Sequence, residues 1–71
     1  MDIKCGDTFH RKGREYKYHI VKILNQEEEP QIVYKYYGKH KQWWHYEVES
    51  IFGFNDAVDI GLYTMDKVIA G

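Results

Sequence analysis

Between Tyr34 and Tyr46 the chain interleaves aromatic rings with lysines, a combination that can recognise a partner by stacking and by charge. This segment holds both tryptophans and contains no acidic residue. Tyrosine and tryptophan dominate the energetics of protein interfaces, and rings beside lysines also bind single-stranded nucleic acids. The same residues can instead form the core of a sheet with solvated edges. The direction in which each side chain faces therefore decides the function.

Side chains that could bind a metal are present, but their spacing is not that of a metal site. The chain has a single cysteine, Cys5, and its histidines are scattered. His40 and His45 are close in sequence but fall on a predicted turn and a predicted strand. A structural zinc site needs four ligands, commonly in two closely spaced pairs. We therefore expect no metal and no cofactor.

Acid–base chemistry has one candidate group, the alternating residues His45, Glu47 and Glu49. Neighbouring carboxylates can raise each other's pKa, but an alternating strand also places such a row in solvent, and we interpret the row in that way. The sequence has no nucleophile elbow and no glycine-rich phosphate loop. A chain this small has little room for a deep pocket. We predict that the protein is not an enzyme.

Charge is unevenly distributed along the chain. Residues 1–46 carry nine basic and six acidic residues, a net +3, whereas residues 47–71 carry one and five, a net −4, which gives −1 for the whole chain. This balance argues against a strong nucleic-acid binder, because phosphate contacts dominate such affinity. With one cysteine and no apolar leader or membrane-length segment, we expect a cytoplasmic protein without disulfides.

Short segments rich in β-branched and aromatic residues, separated by turn residues, predict a small β domain. Lys12-Gly13 is expected to form a tight turn and residues 25–30 an acidic loop. The pattern is interrupted at residues 53–57. The predicted strands are Thr8–Arg11, Glu15–Leu24, Gln31–Tyr37, Gln42–Ile51 and Val58–Thr64.

These elements indicate one domain over residues 1–71, mostly β, forming a small five-stranded SH3-like barrel or a strongly curled antiparallel sheet. A short helical turn over residues 65–69 is an option. The alternative is an α+β fold in which residues 45–54 or 64–70 form a true helix. We favour a strand after residue 44 because Trp44, Tyr46 and Val48 alternate with polar residues.

The segments Gly6–Tyr16, Val33-Tyr34, Tyr37-Gly38 and Trp43-Trp44 loosely resemble small SH3-like β-barrel proteins of bacteria and phages whose function is not established. The likeness covers about residues 6–50. The Arg-Pro pair that often follows the tryptophan strand in those proteins is absent here. The resemblance implies a fold and a phage or prokaryotic setting, and it implies no chemistry.

The register of the predicted hairpin decides which rings are available. A turn centred on Lys39 and His40 would pair Tyr36 with Trp43, and it would place Val33, Trp44, Tyr46 and Val48 in the core. A slip of one residue reverses these assignments. The side chains then expected to face outward and bind a partner are Tyr34, Tyr36, Trp43 and His45, beside Lys39 and Lys41 at the turn.

These expectations define two functional hypotheses. The first is a non-enzymatic protein-interaction module, in concrete form a phage or mobile-element accessory protein that binds and modulates a host protein. The alternative is a small β-barrel that binds single-stranded nucleic acid through the same aromatic face. Self-association remains open, because so small an aromatic core would gain from further burial.

Overall fold

A computed structural model describes residues 3–24, 29–40 and 42–66 of the chain. The elements in these ranges are β1 (Thr8–Arg11), β2 (Lys17–Leu24), β3 (Gln31–Tyr37), β4 (Trp44–Ser50), α1 (Ile51–Asp59) and β5 (Tyr63–Met65). Every strand pair is antiparallel, and the strand order is β4-β3-β2-β1-β5. The prediction of a mostly β domain built on five antiparallel strands is confirmed.

The first three strands follow closely from the sequence pattern. β1 and β3 have the predicted bounds, and Gly13, in the turn after β1, adopts a positive φ of 78° that favours glycine. β2 begins two residues later than predicted and contains a bulge between Ile20 and Lys22. The Cys5 thiol donates a hydrogen bond of 2.8 Å to the carbonyl of Val21 within this bulge. Of the predicted acidic loop, residues 25–28 lie outside the described residues.

The chain after β4 forms a helix where a strand end and a break were predicted. The Ser50 hydroxyl accepts a hydrogen bond of 3.2 Å from the Phe52 amide and caps the helix. The helix ends at Asp59, and Gly61, whose φ is 86°, follows it in a pair of hydrogen bonds typical of the Schellman motif. β5 consequently starts at Tyr63, five residues later than predicted. Within the described ranges, no helix is long and apolar enough to cross a membrane.

α1 carries the chain from one edge of the sheet to the other, since β4 and β5 are the two edge strands. Among the described residues these two edges do not pair with each other, so the sheet is open. Of the two predicted forms, the closed barrel is therefore not the one adopted.

The core lies between α1 and one face of the sheet, which we call the inner face. The Phe9 ring is at its centre and contacts the rings of Tyr18, Tyr34 and Phe54 at centroid distances of 5.1, 5.1 and 4.9 Å. Aromatic rings thus supply most of the burial, as expected for a chain of this size and composition. The buried hydrophobic residues are Phe9, Tyr18, Ile20, Ile32, Tyr34, Phe54 and Ala57.

Candidate interaction surface

The face of the sheet opposite α1, the outer face, carries a cluster of large exposed side chains. Trp44, Tyr46 and Val48 alternate along β4 and are 43%, 61% and 57% exposed. Tyr37, which pairs with Trp44 across β3 and β4, is 48% exposed. We call these four residues the outer aromatic face. Contiguous large side chains left open on a small domain mark a surface available for binding.

Trp44 is the centre of this surface. The Lys35 ammonium lies 4.3 Å from the centroid of its ring, which is within cation–π range. The rings of Tyr37 and His19 meet it edge-on at 5.5 and 5.7 Å. Three neighbours therefore hold the Trp44 ring in place while much of it stays open. A ring held in this way loses little conformational freedom when it binds a partner.

The charges of the outer face on β2, β3 and β4 are all positive. Strand register places Lys17 and Lys22 of β2 and Lys35 of β3 on this face, and no carboxylate lies in these outer rows. Burial, together with Lys17 and Lys35, lowers the pKa of His19 below its usual value. The outer face therefore combines an aromatic stripe with a basic flank.

β4 is an edge strand, and its hydrogen bonds to β3 show which of its backbone groups point away from the sheet. The Gly38 amide donates a hydrogen bond of 3.0 Å to the Trp43 carbonyl, and the ladder then runs without a bulge to the end of β4, where Ser50 pairs with Gln31. In an antiparallel pair such bonds recur at every second residue. Odd-numbered residues 43–49 therefore point their backbone groups toward β3, and even-numbered residues 44–50 point theirs away from the sheet. Among the described residues no strand pairs with this edge.

The four rings predicted to form the binding site, those of Tyr34, Tyr36, Trp43 and His45, lie together, but on the inner face. Tyr34 is 2% exposed and belongs to the core, and Tyr36 packs against it. The Tyr36 ring stacks on His45 at 5.2 Å, and His45 contacts the exposed ring of Trp43 at 6.4 Å. The predicted outward facing is wrong for Tyr34 and Tyr36, and of this group Trp43 is the ring left open, at 59%.

The exchange of the two faces does not come from the hairpin register. The hairpin register differs by two residues from the predicted one, since Tyr36 pairs with His45 and Val33 with Val48. A shift of two residues preserves which side chains share a face. The interior and the exterior are nevertheless exchanged, because α1 covers the face that holds Tyr34. Trp44, Tyr46 and Val48, predicted as core, are exposed.

The two predicted lysines have different outcomes. Lys39, at the turn, forms an exposed ion pair with Glu15, which raises the pKa of Lys39 and lowers that of Glu15. The Lys39 charge is therefore already paired within the chain. Lys41 lies outside the described residues.

A polar cluster lies on the inner face beside β4, where the sequence predicts a solvated acidic row. The Arg11 guanidinium bonds to the Tyr34 hydroxyl and, at 3.1 Å, to Glu47. The hydroxyls of Tyr34 and Tyr63 both donate to Glu49, at 2.9 and 3.0 Å. Glu47 and Glu49 thus act as internal acceptors of hydrogen bonds, which corrects their assignment as a free charged row.

Aromatic rings enclose the arginine of this cluster. The guanidinium carbon of Arg11 (Cζ) lies 4.6 Å from the centroid of the Tyr18 ring and 5.0 Å from the centroids of the Tyr34 and Tyr63 rings. Burial alone would lower the pKa of Arg11, but Tyr34, Tyr63 and Glu47 outweigh it and raise the pKa. Burial and the hydrogen bond to Glu49 raise the pKa of the Tyr34 and Tyr63 hydroxyls. Arg11 is paired with Glu47, and Glu49 accepts two hydroxyls, which is typical of a structural cluster; among the described residues the buried Nε of Arg11 has no partner.

Within the described ranges, no three histidine, cysteine, aspartate or glutamate side chains are grouped closely enough to hold a metal ion. The carboxylate of Asp66 instead binds the Thr8 hydroxyl and a ring nitrogen of His10, both at 2.8 Å. Burial opposes ionisation of Asp66, but these two hydrogen bonds lower its pKa overall.

The sequence-based assignment missed the outer aromatic face and Arg11. The sequence did allow the outer aromatic face to be recognised. The polar residues that alternate with Trp44, Tyr46 and Val48 could be hydrogen-bonded in the interior as well as solvated at the surface. Arg11 had no local signal, since its partners are distant in sequence. Comparison of the chain with protein-family models, with curated proteins and with solved structures finds no match.

Proposed function

We propose that the protein is a non-enzymatic interaction module that binds another protein through the outer aromatic face. The observation that carries the proposal is the exposure of Tyr37, Trp44, Tyr46 and Val48 together on one side of the sheet. Burying such rings against a partner releases water from a large apolar area, and rings of this kind form the energetic centres of interfaces.

The basic flank suggests the chemistry of the partner. Lys17, Lys22 and Lys35 border the aromatic stripe, and the outer rows of β2 to β4 hold no carboxylate, although Asp66 beyond β1 lies close enough to Lys17 to feel its charge. A complementary partner would present an apolar centre with acidic residues at its rim. In the setting that the sequence resemblance implies, this partner is a host protein in the cytoplasm, and the module modulates its activity.

Single-stranded nucleic acid is the second candidate, and the same three lysines favour it. Bases would stack on Trp44 and Tyr46 while phosphates contact the flank. The net charge of −1 and the small number of lysines on this face weigh against it. The two candidates differ in salt dependence, because release of counterions makes a nucleic-acid complex weaken steeply as salt increases.

The test compares capture of proteins from a nuclease-treated bacterial lysate by the wild-type chain and by the double variant Tyr46→Ser/Val48→Thr. Both substitutions remove apolar surface on the outer face, and both residues are more than half exposed, so the fold should be retained. A matched control is Ile60→Ser, which removes an exposed apolar residue (71% exposed) beyond the end of α1.

We expect the wild type and the Ile60→Ser control to retain a partner that the double variant loses. The captured protein is then purified and titrated against the chain at low and moderate salt. Equal capture by all three proteins would contradict the proposal. Binding of an oligothymidylate probe that disappears with salt, without a protein partner, would instead establish the nucleic-acid alternative.

A further inference from the structure

We infer that the free edge of β4 pairs with β4 of a second copy of this chain, in antiparallel orientation and with the two-fold axis at Tyr46. This inference goes beyond the proposed function, because it concerns the edge of the sheet and names its occupant. β4 is seven residues long and pairs with β3 without a bulge, whereas the other edge strand, β5, has three residues.

Natural proteins protect exposed edge strands with proline, lysine, inward-pointing charges, bulges or a covering segment. The two inward-pointing carboxylates of β4, those of Glu47 and Glu49, are already bonded to side chains of the same copy. β4 contains neither proline nor lysine, its ladder is regular, and no described strand covers it. Its outward backbone groups belong to even-numbered residues, including Trp44, Tyr46 and Val48. The strand therefore offers unpaired donors and acceptors beside its most apolar side chains.

Pairing centred on Tyr46 uses these groups in register. Tyr46 would face Tyr46 of the second copy, and Trp44 would face its Val48, each as a pair that exchanges two hydrogen bonds. On the outer face a large ring then meets a small branched side chain on each side of the axis, which suits close packing. These side chains are the same ones that the monomer leaves 43–61% exposed.

Electrostatics on the inner face favour this register over those with the axis at Glu47 or Val48. The intervening residues would place His45 opposite Glu47 of the second copy, and the reverse, as close non-hydrogen-bonded pairs. An axis at Glu47 would oppose two identical carboxylates, and an axis at Val48 would oppose Glu47 and Glu49. Within each copy, Glu47 also accepts a hydrogen bond of 3.1 Å from Arg11 of β1, on the side of the strand away from the free edge.

The resulting assembly is a continuous sheet of two copies. The two outer aromatic faces would meet at the axis and form one larger stripe, with the lysines of β2 and β3 on its two distant flanks. The dimer would thus enlarge the surface of the proposed function without occupying it. Like charges stay apart, because Lys35 lies on β3, one strand removed from the axis.

Sedimentation equilibrium of the wild-type chain is the first measurement, and we expect a concentration-dependent shift from monomer to dimer. The register is then tested by oxidative cross-linking in a Cys5→Ser background, which removes the only cysteine. Hydrogen-bonded partners have Cα atoms about 5.5 Å apart, within disulfide range. Tyr46→Cys should therefore form a disulfide dimer. In the matched control Val48→Cys the two thiols are about 14 Å apart along the strands, and this variant should not.

A mixture of Trp44→Cys and Val48→Cys chains should form the mixed disulfide in preference to either homodimer. Wild-type chain that remains monomeric up to about 1 mM would overturn the inference. Cross-linking of Val48→Cys as efficient as that of Tyr46→Cys would also overturn it. If the chain is monomeric but still captures a lysate protein through its outer aromatic face, the proposed function stands and the dimer fails. If the chain dimerises but captures no protein, the dimer stands and the proposed function fails.

Discussion

The substitution Tyr34→Phe tests the interior facing of Tyr34 with the loss of a single oxygen atom. The side chain is 2% exposed, and its hydroxyl accepts a hydrogen bond from Arg11 while donating one to Glu49. Phenylalanine keeps the ring in contact with Phe9 and removes only these two bonds. Tyr46→Phe is the matched control, because the Tyr46 ring is 61% exposed on the outer face.

The magnitude follows from the partners. A hydrogen bond to a charged group contributes about 1.5–3 kcal/mol to stability. Glu47 still bonds to Arg11, and Tyr63 still bonds to Glu49, so neither ion is left without a partner. We therefore expect a loss of about 2 kcal/mol for both bonds together, which is less than two full contributions because both ions keep another partner. Tyr46→Phe should change the free energy of unfolding by less than about 0.5 kcal/mol.

Urea unfolding followed by far-ultraviolet circular dichroism measures both values. With a slope of about 1 kcal/mol per molar urea for a domain of this size, Tyr34→Phe should lower the midpoint by about 2 M at unchanged slope. Tyr46→Phe should leave the midpoint nearly unchanged. A larger effect at Tyr46 than at Tyr34 would refute the facing described here, since the opposite facing makes Tyr46 the buried ring.

Four further predictions rest on the described contacts. Gly38→Ala should destabilise by about 1–3 kcal/mol, because its new Cβ would lie 2.5 Å from the Nε2 atom of His45 and would displace this ring from its stack on Tyr36. Gly53→Ala should stabilise α1 by about 0.5–1 kcal/mol, since the nearest atom to its Cβ is 3.7 Å away. The pKa of Tyr34 is raised, so the free energy of unfolding should fall as pH increases above about 10, where the unfolded phenol ionises first. The pKa of His19 is lowered, so the free energy of unfolding should fall as pH decreases through about 6.5, because the unfolded state binds the proton first.

Each of these four predictions has a direct control. The two glycine variants are compared by thermal and urea unfolding, and an equal sign for both would contradict the contact at Gly38. The alkaline dependence should be shallower in Tyr34→Phe, and an unchanged dependence would contradict the raised pKa. The acid dependence between pH 7 and 5 should be shallower in His19→Gln, and an identical slope would contradict the role of His19.

Local pattern was sufficient for most of the strands. β-branched and aromatic runs bounded by glycine turns predicted β1 and β3 to the residue, because the backbone there has no competing preference. The start of β4 at Trp44 was predicted within two residues. What local pattern cannot supply is the element that covers a sheet, since that depends on contacts between distant segments.

The helix was missed for a related reason. Alternation in β4 was extended past Ser50, although Ser50 is a good N-cap and Gly61 a good C-terminal residue for a helix. Ile51, Phe54 and Val58 also recur at helical spacing. These signals compete with a strand reading over the same few residues. Packing of Phe54 against Phe9 decides between them, and that contact spans most of the chain.

The prediction exchanged the inner and outer rows of β4 because it assigned the two rows by hydrophobicity alone. The row containing Glu47 and Glu49 is the more polar, so solvent was the natural assignment. At the edge of this sheet, however, Arg11, Tyr34 and Tyr63 supply internal partners for both carboxylates. A polar row with such partners can be partly buried at little cost. The large apolar row is then left to water, where it is free to bind.

The position of β5 beside β1 also determines where tethers leave the domain. The Asp66 amide bonds to the Thr8 carbonyl at 3.0 Å, so the chain enters the sheet and leaves it at neighbouring points. The β4 edge lies at the opposite side, with β3 and β2 between. A fused domain, an affinity tag or a surface linker attached at either point would leave that edge accessible. Force applied through both tethers would open the β1–β5 ladder one hydrogen bond at a time, so we expect mechanical unfolding to begin there.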